Sequence, residues 1–101
     1  MKKEYFKKEV LNYIKNSDYK KYIKYIGVFG SYSRNENRKD SDLDLIIKFT
    51  KNHNLSIFDH LNIQNDLKKV FKIKVDLVSY DGLSKYIKQN VKKDLINIYE
   101  R

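Results

Sequence analysis

Cysteine, proline, tryptophan and alanine are absent from this 101-residue sequence, and glycine occurs three times. Without cysteine there is no disulfide framework, no thiolate zinc site and no thiol nucleophile. No Gly/Ser linker and no internal repeat divides the chain. The longest apolar runs, such as Leu45-Ile46-Ile47, fall far short of a membrane span. Met1-Lys2-Lys3-Glu4 has no apolar stretch behind it that would serve as a signal peptide. One small soluble domain over residues 1–101, located in the cytoplasm, is the expectation. Hydrophobic residues make up 41% of the chain, enough for a core of its own.

Charge of one sign dominates: 22 Lys and Arg stand against 13 Asp and Glu, a formal net charge of +9. Only three of the basic residues are arginine (Arg34, Arg38, Arg101), and arginine is the better bidentate reader of bases and phosphates. Lys, Asn, Ile and Tyr, which share A/T-rich codons, make up 49 of the residues, so nucleotide composition accounts for much of the lysine excess. Direct nucleic-acid binding is therefore not expected. Solvated lysine, or an acidic partner surface, is the better reading.

Helical spacing of Phe6, Val10, Leu11, Tyr13 and Ile14 predicts a helix over 2–15, stopped by Asn16-Ser17-Asp18. Ile23 to Phe29 reads as a strand, Ser31 to Asn35 as the start of a short helix, and 35–41 as a polar loop. A second strand is expected over Asp42 to Phe49, followed by a polar stretch, Thr50 to Asn54. Ser56 caps a helix to about Phe71, with Ile57, Phe58, Leu61, Leu67, Val70 and Phe71 facing inward. Lys72 to Ser79 is expected as a third strand, Asp81-Gly82 as a turn, and Leu83 to Tyr99 as a last helix. This alternation predicts an α+β domain with a small mixed sheet of about three strands flanked by helices.

Two features carry chemistry. Gly30-Ser31 stands where a strand ends, a junction that presents unpaired backbone N–H groups to an anion; taken alone it is equally the mark of a plain turn. Ten residues later, Asp42 and Asp44 share one face of a strand whose other face carries Leu43, Leu45 and Ile47. Neighbouring carboxylates repel unless a cation lies between them, and Asp is a poor strand former. Asp76 interrupts another apolar strand and is the candidate third carboxylate, though a solvent-facing edge residue would look the same. An oxygen-only ligand set suits Mg²⁺ or Mn²⁺. Three carboxylates on adjacent strands suit two ions, as in-line phosphoryl displacement requires. Asp40 keeps the same phase but falls in the polar loop.

Gly30-Ser31-Tyr32-Ser33-Arg34 followed by Ser41-Asp42-Leu43-Asp44-Leu45 resembles the GS-x10-DxD signature of the DNA polymerase β-type nucleotidyltransferases. Val75-Asp76-Leu77-Val78 is similar to the strand that bears the third Asp of that superfamily. At this length the chain resembles a minimal nucleotidyltransferase, or MNT protein. The family often has Ala where Ser33 stands and Gly where Asn35 stands.

The resemblance implies an antitoxin that uses ATP and two Mg²⁺ ions (or Mn²⁺) to transfer AMP to a tyrosine of a cognate HEPN-domain RNase toxin, in a hetero-oligomer with it. Under it, Gly30 and Ser31 hold the triphosphate, and Asp42 and Asp44 ligate both ions. Asp76 binds the ion that activates the acceptor hydroxyl, and Arg34 lies near the phosphates unless it serves a structural ion pair. Two other readings stand beside it. One is a non-catalytic antitoxin that masks its toxin. The other is transfer to a small molecule, for which 101 residues leave no second, acceptor-shaping domain. His53 and His60 read as surface residues, and Tyr5, Tyr13 and Tyr86 as margins of the core. Tyr32 stands beside the loop, where it could meet nucleotide or acceptor.

Overall fold

The computed structural model describes residues 2–51 and 53–101; Met1 of the polar N-terminus and Asn52 of the 50–54 stretch lie outside the described residues. Helix α1 (Lys3–Lys15) ends at Asn16, as its polar stop signal requires. A single 3₁₀ turn, Lys20–Tyr22, leads into β1 (Ile23–Phe29), and β2 is Leu43–Phe49. Helix α2 (Ile57–Phe71) opens on a capping box: the Asp59 N–H donates to the Ser56 hydroxyl, and the Ser56 N–H donates to the Asp59 carboxylate at 2.8 Å. That contact holds the Asp59 carboxyl below its ordinary range. Strand β3 (Val75–Ser79), a second 3₁₀ turn (Tyr80–Gly82), α3 (Lys85–Asp94) and β4 (Ile96–Glu100) complete the order.

The sheet is mixed and has four strands, in the order β3-β2-β1-β4. β1 runs antiparallel to both β2 and β4, while β2 and β3 are parallel and joined through α2. The fourth strand corrects the three-strand expectation and shortens the last helix to residues 85–94. Ile96, Ile98 and Tyr99 form a short β-branched and aromatic run that pairs with the open side of β1. The third strand begins later than expected because Lys72, in the left-handed region at φ 58°, ends α2 and leaves Ile73-Lys74 as a connector. Ser31–Asn35 forms turns without a regular helix.

One face of the sheet carries the main core. Ile23, Ile26, Val28, Leu43, Leu45 and Ile47 meet Phe6, Val10 and Ile14 of α1 and Ile63, Leu67 and Phe71 of α2 there. The inward line of α2 is therefore Ile63-Leu67-Phe71. Ile57 and Phe58 are 68% and 73% exposed, and Leu61 is exposed as well. With successive side chains about 100° apart, Phe58 falls nearly opposite that line. The other face has a smaller cluster, Tyr25, Ile46 and Val91, under α3. Tyr86 of α3 is 80% exposed, so it is no core margin, and Tyr5 is half-exposed with its ring edge-on to Phe71. Tyr13 does lie at a margin, donating to Asp66 at 2.9 Å, and burial pushes its hydroxyl well above the usual tyrosine range. No helix among the described residues is long and apolar enough to cross a membrane.

Leu45→Ala, at a fully buried position in a central strand, is expected to cost about 2–5 kcal/mol. Phe58→Ser is expected to change stability by no more than about 0.5 kcal/mol. Denaturant unfolding of the two variants checks the corrected inward face of α2.

Candidate active site

The loop after β1 is built around Gly30. Its φ is +76°, and a Cβ there would run into the Asp44 carboxylate, so backbone conformation and space both demand glycine. The Gly30 carbonyl accepts from the Arg34 N–H at 3.2 Å and from the Ser33 hydroxyl at 2.8 Å. The Glu36 N–H closes the loop onto the Ser31 carbonyl at 2.9 Å, and Asn35 takes a left-handed conformation at φ 57°. One helical turn thus begins and stops. The backbone N–H groups of Ser31, Tyr32 and Ser33 donate to no acceptor among the described residues, which leaves them open to an anion.

The carboxylates come together through strand register. β2 and β3 pair Leu43 with Val75, Asp44 with Asp76 and Leu45 with Leu77. The Leu43 N–H reaches the Lys74 carbonyl at 2.9 Å and carries the pairing to the strand starts. Leu43, Leu45, Val75 and Leu77 turn into the core, so Asp44 and Asp76 share the opposite face. Asp42 precedes β2 by one residue and is exposed, as is Asp76; Asp44 is half-buried. Burial pushes the Asp44 carboxyl above its ordinary range, Asp76 and then Asp42 push it further, and Arg34 opposes them. These four groups therefore lie in one another's electrostatic field. Asp40 is exposed in the polar loop.

Arg34 is engaged in ion pairs, at 2.7 Å to Asp94 and 3.1 Å to Glu36, which hold its guanidinium in the charged form. Asp94 stands 60 positions away at the end of α3, and no local signal marks it. Ser33, by contrast, is a short-range hydroxyl-to-backbone contact of a kind that turn chemistry makes readable. Tyr32 turns inward, edge-on to Phe6 at 6.2 Å between ring centroids, and is a core contact. His60 is no surface residue. It lies half-buried on α2 with its Nε2 2.6 Å from the Leu77 carbonyl. His53 is exposed and stands against Phe49.

Among the described residues, no three His, Asp or Glu side chains are grouped as a ready-made metal cage. The donor chemistry nonetheless suits a hard divalent cation. Asp44 and Asp76 are oxygen donors on one face with Asp42 close by, and the Asp44 carboxyl is held up by burial and then by two like charges that a cation would offset. The lack of a side chain at Gly30 leaves room for the Asp44 carboxylate beside the loop.

The family model described as polymerase beta, nucleotidyltransferase, matches residues 8–101. A candidate protein adenylyltransferase of Methanocaldococcus jannaschii is 34% identical over 93 residues, which is 90% of this chain and 93% of that protein. A toxin–antitoxin structure with AMP-PNP contains a chain that superposes at a TM-score of 0.77 and 19% identity, covering 94% of this chain and 73% of the other. A chain from the complex of a tri-AMPylated Shewanella oneidensis HEPN toxin with an MNT antitoxin gives 0.70 at 18% identity, covering 98% and 73%. At those identities the structural matches speak to the fold.

Because the Asp44 carboxyl is raised in the folded state, its charge opposes folding above that raised pKa, and the opposition fades as pH falls through it. Asp44→Asn is therefore expected to raise the melting temperature at pH 7 in the presence of a chelator, with the gain shrinking toward acid pH. Thermal unfolding across that pH range checks this, and a lower melting temperature for the variant at pH 7 would contradict it.

Proposed function

The chain belongs to the polymerase β nucleotidyltransferase family, and we propose that within it the protein is an antitoxin enzyme. It transfers AMP from ATP to a tyrosine hydroxyl of a cognate HEPN-domain toxin and so silences that toxin. The observation that carries this reading is the register that sets Asp44 beside Asp76, next to the open N–H groups that follow Gly30. The adenylyltransferase relative and the solved complex of an MNT antitoxin with an AMPylated HEPN toxin support the donor and the partner.

In the transfer, the tyrosine oxygen forms a bond to the α-phosphorus, the bond from that phosphorus to the β-bridging oxygen breaks, and pyrophosphate leaves. The N–H groups of Ser31, Tyr32 and Ser33, with the Ser31 hydroxyl, hold the β- and γ-phosphates in the loop. Asp42 and Asp44 would hold two Mg²⁺ or Mn²⁺ ions, and Asp76 would share one of them. Bound there, the ions would offset the phosphate charge and lower the pKa of the acceptor hydroxyl. Asp76, on the neighbouring strand, orients that hydroxyl toward the α-phosphorus and takes its proton. Arg34 braces the loop against α3 through Asp94, so its part toward the phosphates is to position the loop that holds them.

Incubation with ATP labelled at the α-phosphate, Mg²⁺ and the cognate toxin is expected to label the toxin. Asp42→Asn, Asp44→Asn and Asp76→Asn are each expected to lower transfer by about 10²-fold or more, the scale of losing one transition-state charge partner. Circular dichroism checks that each variant is folded. Toxin neutralisation by unlabelling Asp42→Asn protein would instead favour masking by binding. Millimolar Mg²⁺ with ATP is expected to raise the melting temperature of the wild type by mass action, and no rise would overturn the nucleotide site.

A further inference from the structure

The sheet face that carries Asp44 and Asp76 bears a second constellation at its other end. Four residues further along β2 stands Lys48, and four beyond Asp76 stands Tyr80. Four residues of strand span about 13 Å, and the even count keeps Lys48 on the face of Asp44; Tyr80 opens the 3₁₀ turn after β3 and lies against Lys48. A cavity of about 250 Å³ opens there, lined by Lys24, Lys48 and Lys92 together with Tyr25, Tyr80 and Asn97. The Tyr25 hydroxyl donates to the Asn97 side-chain carbonyl. Lys48 Nζ lies 4.1 Å from the centre of the Tyr80 ring and Lys88 Nζ lies 4.8 Å from the same centre. One acidic side chain, Glu100, lines the cavity. Among the described residues, none of these four lysines makes an ion pair within 4.0 Å. Two ammonium groups therefore share one aromatic ring, with mutual repulsion that an incoming anion would relieve.

We propose that this cavity is a docking subsite for an acidic side chain of the protein acceptor, about 13 Å of strand from Asp44. The proposal rests on the reading of the acceptor as a protein. The cavity opens on the same sheet face as Asp76, beside α3, whose Val91 covers Ile46 between Asp44 and Lys48; an acceptor surface that reaches around α3 meets it. The donor phosphates belong to the opposite end, at the Gly30 loop. The apolar part of the lining suits a side-chain carboxylate. The cavity offers lysine ammonium groups beside the apolar atoms of Leu95 and two tyrosine rings. The methylenes of an Asp or Glu side chain would pack on those apolar atoms while its carboxylate meets the lysines.

The test pairs Lys48→Glu/Lys92→Glu with a charge-matched control, Lys3→Glu/Lys8→Glu, on exposed positions of α1. Titration of the ¹⁵N-labelled protein with hexaglutamate is expected to shift the amide resonances of Tyr25, Lys48 and Tyr80. The cavity variant is expected to weaken that binding about tenfold and the control to leave it within about twofold. In the transfer assay, the cavity variant is expected to raise KM for the cognate acceptor about tenfold, with KM for ATP unchanged within about twofold. Equal weakening by both variants would reduce the effect to overall charge and overturn the proposal. So would a response to inorganic phosphate but not to hexaglutamate, or a rise in KM for ATP. Lys92→Glu alone, on an exposed helix position, keeps the test valid if the double variant does not fold. A wild type that binds hexaglutamate at these resonances but labels no protein would overturn the adenylyl-transfer reading and, with it, the acceptor assigned to this cavity.

Discussion

Two carboxylates held opposite one another across parallel strands repel, and the candidate site exists because the core does not let them part. Asp44 and Asp76 are in register because Leu43, Leu45, Val75 and Leu77 are buried on the other face of the same strands. A slip of one residue would move the aspartates into the core and the leucines into water. Burial stabilises each such side chain by about 1.5–3 kcal/mol. Repulsion between two charges near a surface is about 4 kcal/mol at 4 Å, and less toward open water. Four apolar side chains outweigh it, so hydrophobic packing fixes an arrangement that local electrostatics opposes. Burial first, and then the repulsion from Asp76 and Asp42, push the Asp44 carboxyl up.

The two sheet faces divide the labour. Helices α1 and α2 cover one face with a continuous core, while α3 covers part of the other and buries only Val91 deeply. The sparsely covered face is the one that carries Asp44 and Asp76. Its loop is tied down from a distance: the Arg34–Asp94 pair joins the residues after Gly30 to the end of α3. Both partners are partly exposed, so the pair adds little to global stability. Its effect is to limit where the loop can go. Strand β4 adds to this, since its pairing with Val28 sets the end of α3 beside the end of β1.

Much of this was legible in the order of residues. The Gly30-Ser31 bend, the Asp42/Asp44 alternation and the interruption at Asp76 are local signals; β1 and β2 formed within a residue of where they were expected, while Ser31–Asn35 made turns in place of a short helix and β3 began at Val75. The capping box at Ser56 was legible for the same reason. The misses are places where tertiary contact decided. Residues 95–99 have spacing compatible with a helix, yet β1 had an open edge to fill. The first turn of α2 carries apolar residues that any inward-face count would enlist, but the Ile63-Leu67-Phe71 line packs better on the sheet, and Phe58 is turned away. Tyr32 and His60 depend on Phe6 and on the Leu77 carbonyl, partners that no window of sequence contains.

The charge balance of the molecule adds a last constraint. The overall +9 does not reach the site as a screen, because the cation beside Asp44 is Arg34 and both of its contacts are acids of this chain. A nucleoside triphosphate brings several more negative charges to a face that already holds three carboxylates. Those anions approach one another closely only with added positive charge between them, and the hard oxygen donors present favour small divalent ions over any side chain. Lys48 and Lys88 gather instead at the far end of the same face, around Tyr80. The face is thus acidic around Asp44 and Asp76 and basic about four residues of strand away. A protein with an acid suitably spaced from its acceptor hydroxyl would be drawn into one orientation along that gradient, whereas a reversed approach would set like charges against each other at both ends.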